Sequence, residues 1–124
     1  MIPKFRAYDK RFSEFVEDFF VSEDGKIYKK TKDTGYGFAI SRETSDKIIL
    51  MQSTGLKDKN GKEIFEGDIV GSKDGLLNGV VLYRPDLAMW TVDLIRYNNF
   101  ERLCNVASSR EIIGNIYENP ELLK

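Results

Sequence analysis

The stretch MQSTGLKDKNGKEIFEGDIV, residues 51–70, decides the fold. Asn60-Gly61 is a strong signal for a type I′ hairpin turn, because both central positions of that turn need positive φ. Residues 65–69 then alternate apolar and acidic side chains, which predicts a half-exposed strand with Glu66 and Asp68 on one face. The sequence therefore predicts antiparallel strands joined by tight turns at this point.

Further strand patterns lie on both sides of this stretch, and turn residues separate them. The predicted strands are residues 4–8, 47–52, 80–83, 89–95, 103–106 and 112–117. Short strands without long intervening helices favour an antiparallel sheet or barrel over a parallel sheet. We expect a mainly β fold: a small antiparallel SH3-like barrel, with an N-terminal strand or hairpin extension and a short C-terminal helical turn at Pro120.

The N-terminal third leaves two alternatives open. In residues 12–20 the Phe and Val side chains fall at helical spacing, but a strand from Phe15 to Val21 that turns back at Asp24-Gly25 fits better. Residues 29–46 contain Lys, Gly, Ser and Thr and predict a long mobile loop. We expect one domain over residues 1–124, with a hairpin region and loop at 1–46 and the barrel at 47–124.

The composition excludes several classes of site. The chain has 124 residues, 41% hydrophobic and 31% charged, an ordinary globular mixture for one domain. It has no histidine and one cysteine, so a Ser-His-Asp or Cys-His mechanism and a structural zinc site are excluded within this chain. We expect no cofactor and no metal. The N-terminus shows no signal-peptide pattern and no apolar run of membrane length, so we expect a cytoplasmic protein without a membrane partner.

Three segments resemble a known family. They are residues 4–10 (KFRAYDK), residues 51–70 and residues 113–123 (IGNIYENPELL). Together they are similar to the YopX family of phage and prophage proteins, although Tyr8 stands where that family often has Trp. The resemblance implies a mainly β fold with an SH3-type barrel and a location in the host cytoplasm, and it carries no activity. Residues 11–47 match nothing specific in the family.

A basic surface is the first candidate site. Lys57, Lys59 and Lys62 surround the Asn60-Gly61 turn, and Tyr83 could stack on the bases of a single strand. With the lysines of residues 26–32 they would form a basic rim. The alternative is that these lysines keep exposed hairpins soluble and block edge pairing.

Two other features have a chemical and a structural interpretation. The carboxylates Asp58, Glu63, Glu66 and Asp68 could hold Mg²⁺ or act as an acid–base pair, or they could form a solvated strand face. Cys104 lies in an apolar stretch and is expected to be a buried, inert thiol. Trp90 alternates with Val92 and Leu94 and is expected in the core.

Three functions remain at this point. The first is a non-enzymatic accessory protein that binds a protein partner, or another copy of itself, by strand addition at an open edge. The second is a nucleic-acid-binding module that uses the lysine-bearing hairpins, although the net charge of −1 does not favour it. The third is a carboxylate-based, metal-dependent enzyme.

Overall fold

The computed structural model describes residues 4–30, 40–43 and 46–124. The chain is mainly β, as expected. Its strands are β1 (Phe5–Asp9), β2 (Glu14–Val16), β3 (Phe19–Val21), β4 (Ile27–Lys30), β5 (Ile40–Glu43), β6 (Ile48–Lys57), β7 (Glu63–Phe65), β8 (Asp68–Gly71), β9 (Gly79–Arg84), β10 (Met89–Leu94), β11 (Phe100–Arg102) and β12 (Glu111–Asn115). The helices are α1 (Leu103–Val106) and two 3₁₀ turns, Ala107–Ser109 and Pro120–Leu123.

The strands form three antiparallel sheets. The largest has the order β11-β10-β9-β8-β12, a second has the order β2-β1-β6-β7, and the third has the order β3-β4-β5. The chain separates into two compact units, Met1–Arg6 with Leu50–Lys124, and Ala7–Ile49. The C-terminal helical turn that Pro120 predicts is present as the second 3₁₀ turn.

The five-stranded sheet is a half-barrel, and a closed SH3-like barrel is not formed by its strand pairing. Strands β11 and β12 are the two ends of this sheet. The segment that follows β11 was expected to be another strand, but it folds into α1 and a 3₁₀ turn instead. Helix α1 and the 3₁₀ turn thus connect β11 to β12 outside the sheet. Within the described residues β11 and β12 do not pair with each other, so the barrel stays open.

The core of the larger unit lies on one face of this half-barrel. It contains Ile64, Val70, Val81, Val92, Leu103 and Ala107. Val81 pairs with Val92 across β9 and β10, so the two side chains share the buried face. Trp90 is partly buried and packs against this cluster, with its ring edge-on to Tyr83 at a centroid distance of 5.2 Å. Trp90 thus contributes to the core, as its alternation with Val92 predicts.

Residues 103–106 are a helix, so the predicted strand is wrong. Leu103 is buried, Val106 is partly buried and Ala107 is buried, which is the i, i+3, i+4 spacing of a helical face. Cys104 falls between these positions and is exposed. The expectation of a buried thiol is therefore wrong for the same reason: the period of the segment is helical.

Two turns in residues 58–69 also differ from expectation. Gly61 has φ +81°, but Asn60 is not among the residues with positive φ, so the turn is not type I′. The Gly61 N–H donates to the Asp58 carbonyl and the Asp58 N–H to the Lys62 carbonyl, a tight turn followed by a bulge. Residues 65–69 are not one strand, because the chain turns at Gly67 (φ +86°) between β7 and β8.

The smaller unit confirms the strand alternative for residues 12–20. Strands β2 and β3 are separated by Asp18, whose φ of +53° interrupts a continuous strand. β3 pairs with β4 through the predicted turn at Asp24-Gly25. Within the predicted loop 29–46, residues 29–30 belong to β4 and residues 40–43 form β5, and these two strands pair with each other. The rest of that loop, residues 31–39 and 44–45, lies outside the described residues.

No helix in the described part of the chain is long and apolar enough to cross a membrane.

Candidate functional site

The lysine hairpin, Lys57–Glu63, carries three of the four predicted binding residues. Each of its lysines lies near a carboxylate. Lys57 pairs in register with Glu63 across β6 and β7. Lys59 Nζ lies 3.7 Å from a carboxylate oxygen of Glu111. The charge of Lys62 helps to lower the pKa of Asp58. The hairpin surface is therefore close to charge balance, which weakens its attraction for a phosphate backbone.

Tyr83, the fourth predicted binding residue, is not on this hairpin. It is exposed on β9 of the five-stranded sheet, and its ring packs edge-on to Trp90. The lysines of residues 26–30 belong to the smaller unit, and Lys32 lies outside the described residues. The structure thus places the three hairpin lysines together and Tyr83 on a different sheet.

Asp58 is buried beneath the lysine hairpin and fixes its turn. One carboxylate oxygen accepts the N–H groups of Asn60 and Lys62, both at 2.9 Å, and the other accepts the N–H of Ile112 at 3.0 Å. Burial alone would raise the pKa of Asp58, but these backbone donors outweigh it and hold the pKa below its ordinary value. This carboxylate joins the hairpin to β12 and has a structural role.

Glu66 and Asp68 do not share an exposed face. Asp68 is 1% exposed and its carboxylate is bound by the guanidinium of Arg6 and the N–H of Phe65. Burial raises the pKa of Asp68 even though Arg6 acts to lower it. In the described ranges 4–30, 40–43 and 46–124, no group of three or more Asp, Glu or Cys side chains is placed to hold a metal ion.

An exposed aromatic surface lies in the smaller unit, and we call Phe12 together with β2, which contains Phe15, the Phe edge. Phe12 is 66% exposed, and Phe15 is exposed while its ring contacts Tyr8 edge-on at 5.3 Å. A cavity of about 430 Å³ lies beside them, lined by Asp9, Phe12, Glu14, Phe15, Val16, Glu17 and Lys29. The sequence pattern predicted only a helix or a strand for residues 12–20 and did not identify Phe12 and Phe15 as an exposed surface.

A second cavity, which we call the Arg84 pocket, lies in the larger unit. Its volume is about 350 Å³, and its lining residues are Arg84, Asp93, Leu94, Tyr97, Asn98, Asn99 and Phe100. The Arg84 guanidinium lies 4.4 Å above the Phe100 ring and 2.8 Å from the Asp93 carboxylate. No motif in the sequence indicates this pocket, because its lining combines residues of β9, β10 and β11 with the loop between β10 and β11.

Comparison with known proteins places the whole chain in one family. The crystal structure of protein EF1440 from Enterococcus faecalis is similar over 100% of this chain and 99% of that chain, with 32% identity and a TM-score of 0.62. The X-ray structure of YopX from Bacillus subtilis is similar over 97% of each chain, with 22% identity and a TM-score of 0.62. No curated protein matches the sequence. The family profile described as YopX protein matches residues 4–124, and the chain therefore belongs to the YopX family.

Proposed function

We propose that this chain is a non-enzymatic phage or prophage accessory protein that binds an extended segment of another protein, or of a second copy of itself, at the Phe edge. The observation that carries the proposal is the exposure of Phe12 and of Phe15, which lies in β2, the terminal strand of its sheet. Clustered exposed aromatic side chains are typical of interaction surfaces. The phage origin and the host-cytoplasm location belong to the same proposal and rest on the family resemblance.

Strand β2 supplies the backbone part of such a contact. It ends the order β2-β1-β6-β7, so one row of its N–H and C=O groups faces away from β1. An extended segment can pair with a row of this kind and continue the sheet. Because β2 has only three residues, side-chain anchoring must supply much of the affinity.

The cavity beside Phe12 supplies that anchoring. Its volume of about 430 Å³ accommodates at least one large apolar side chain of the partner. Three of the charged side chains that line it are acidic, Asp9, Glu14 and Glu17, and one is basic, Lys29. Asp9 is bound by Arg11 at 2.9 Å, whereas Glu14 and Glu17 are exposed. The partner segment therefore carries Lys or Arg next to its apolar anchor, by charge complementarity.

Photo-cross-linking in infected or lysogenic host cells tests this proposal. A photoreactive phenylalanine analogue replaces Phe12 in one variant and Leu76 in a matched control, because Leu76 is also an exposed apolar side chain but lies in the other unit. We expect a protein adduct from position 12 only. An adduct of twice the chain mass identifies a second copy as the partner.

A second measurement shows whether the adduct reflects the proposed chemistry. A synthetic peptide that spans the cross-linked site should bind the purified chain, and the double variant Glu14→Lys, Glu17→Lys should bind it at least about tenfold more weakly. Equal cross-linking from positions 12 and 76, or equal affinity of the double variant, would contradict the proposal.

Nucleic-acid binding has less support, because each lysine of the lysine hairpin lies near a carboxylate. A complex with single-stranded DNA whose affinity falls steeply with salt, and which Lys57→Gln, Lys59→Gln and Lys62→Gln together abolish, would favour this alternative. The carboxylate enzyme has the least support, because Arg6 and the Phe65 N–H already bind Asp68.

A further inference from the structure

The Arg84 pocket is built by strand pairing and by the loop that follows it. Asp93 on β10 pairs directly with Phe100 on β11, and β9 brings Arg84 to the other side of Asp93. Tyr97, Asn98 and Asn99, from the loop between β10 and β11, complete the lining. The volume of about 350 Å³ lies in the range of small-molecule sites, which is roughly 300–1,000 Å³.

The charges inside this pocket are balanced. Arg84 Nη2 donates to one oxygen of Asp93 at 2.8 Å, and the Thr91 hydroxyl donates to the other oxygen at 2.9 Å. A phosphate or carboxylate ligand would have to displace Asp93 from Arg84. The pocket therefore favours an uncharged ligand over an anion.

Two aromatic residues, Tyr97 and Phe100, line the pocket. The Arg84 guanidinium covers the Phe100 ring at 4.4 Å, so that ring is already stacked on one side. Tyr97 lines the same pocket and is 48% exposed, so part of its side chain is accessible to a ligand. A planar ligand gains most by stacking on an open aromatic ring of this kind.

The polar groups at the rim can both donate and accept hydrogen bonds. Asn98 is exposed and lines the pocket, and its amide has two donors and one acceptor oxygen. The neighbouring Asn99 is less available, because its Oδ1 accepts the N–H of Phe100 at 2.8 Å. A ligand that matches this rim presents donors and acceptors on the edge of a flat ring.

From these observations we infer that the Arg84 pocket binds a nucleobase, stacked on Tyr97 and hydrogen-bonded by Asn98. The base belongs to a free nucleoside or to an unpaired position in a single strand. The inference is independent of the proposed function, because the Phe edge lies in the Ala7–Ile49 unit and this pocket in the other.

Titration of the ¹⁵N-labelled full chain with the four ribonucleosides, followed by NMR, tests the inference. We expect at least one nucleoside to shift the amide signals of residues 97–100 in a saturable manner. Ribose 5-phosphate, which has the sugar and a phosphate but no base, should not shift them. The absence of shifts with every nucleoside, or equal shifts with ribose 5-phosphate, would overturn the inference.

Substitutions at Tyr97 separate the contribution of stacking to nucleoside affinity from the contributions of other contacts. Tyr97→Ala should weaken nucleoside binding at least about tenfold, since the base loses the aromatic ring on which it stacks. Tyr97→Phe keeps the ring and should retain the affinity within about twofold. Leu76→Ala, an exposed position that does not line the pocket, is the control. Unchanged affinity in Tyr97→Ala would also overturn the inference.

Two further titrations distinguish the sources of the base. If a short oligonucleotide of the preferred base binds much more tightly than the nucleoside, and its affinity falls with salt, the base comes from a single strand. If both bind equally, the ligand is the free nucleoside. Shifts from the oligonucleotide that avoid residues 97–100 would count against the pocket.

Discussion

The Arg6 guanidinium lies 2.5 Å from the Asp68 carboxylate, and the two residues are 62 positions apart in the chain. The other carboxylate oxygen of Asp68 accepts the N–H of Phe65 at 2.8 Å, and the guanidinium also lies 4.8 Å from the centroid of the Phe65 ring. Asp68 begins β8 directly after the tight turn at Gly67. The ion pair therefore connects the start of β1 to the turn between β7 and β8.

Removal of one partner of this ion pair should lower the free energy of unfolding more than removal of one partner of a surface pair. Asp68→Ala removes both the carboxylate oxygen that Arg6 binds and the oxygen that accepts the Phe65 N–H, so both hydrogen bonds are lost. We expect the free energy of unfolding in urea to fall by about 3 kcal/mol, as for a broken buried pair. The control is Lys4→Ala, because Lys4 is 71% exposed in its pair with Glu63 and should cost less than about 1 kcal/mol. Similar costs for the two variants would contradict the structural role of Asp68.

Asp58 should make stability depend on pH. The pKa of its carboxyl is held below the ordinary value in the folded protein, so the unfolded chain binds a proton more readily. Its contribution is therefore present above the unfolded pKa of about 4 and is lost as pH falls through the lower folded pKa. At pH 7, Asp58→Asn should lower the free energy of unfolding by about 1–3 kcal/mol, because one backbone donor is left without a partner.

The pH series of the two proteins supplies the check on Asp58. The difference in free energy of unfolding between wild type and Asp58→Asn should shrink as pH falls below about 4, because protonation removes the same charge from the wild type. The contribution of Asp68 to stability changes with pH in the opposite direction, since its raised pKa favours the folded state at low pH. A difference that stays constant from neutral to acidic pH would show that the charge of Asp58 is irrelevant.

The sequence predicted the strands that depend on local patterns. Residues 80–83, 89–95 and 112–117 correspond closely to β9, β10 and β12, because alternation and flanking turn residues lie within a few positions of one another. The hairpin at Asp24-Gly25 is predicted for the same reason. Local chemistry suffices where a strand and its partner are joined by a short turn.

The features that were missed depend on distant residues. The sequence predicted one strand over residues 65–69, with Asp68 on its exposed face. In the structure Asp68 is buried after a turn, and the charge that balances it comes from the distant Arg6. The helical period of 103–107 was hidden in a segment of only five residues, too short for a periodic pattern to be distinguished from a strand. Helix α1 is explained by the burial of Leu103 and Ala107 against strands far earlier in the chain.

The candidate sites were harder to predict than the strands. Charge alone marked Lys57, Lys59 and Lys62, but the carboxylate beside Lys59 comes from Glu111 on β12. The Arg84 pocket depends on a register that aligns Asp93 with Phe100, and a sequence does not display register. Residue type thus identified candidate groups, whereas their neighbours in space decide whether they form a site.

Gly79 should be intolerant of any side chain. A Cβ at this position would lie 2.5 Å from Cγ1 of Val92 and 2.8 Å from the carbonyl oxygen of Asp93, and the backbone atom cannot move aside. Gly79→Ala should therefore lower the free energy of unfolding by about 2 kcal/mol, the usual scale of overpacking. Gly61→Ala is the control: it has positive φ but no atom within 4 Å of the new Cβ, so it should cost only about 1 kcal/mol. A cost for Gly79→Ala below that of Gly61→Ala would contradict the close packing of β9 on β10.

Cys104 reports which face of helix α1 is turned to solvent. Cys104 and Asn105 are both exposed between buried Leu103 and partly buried Val106, and two successive exposed positions fit the outward face of a helix but not a strand, whose side chains alternate. We therefore expect a thiol reagent such as DTNB to label the native chain at one site, within about tenfold of the rate in denaturant, because access is not the limiting factor. Cys104→Ser should abolish labelling and change the free energy of unfolding by less than about 0.5 kcal/mol, as for other surface substitutions. Labelling that requires denaturant would instead place the thiol inside the protein, and α1 would then have to face the other way.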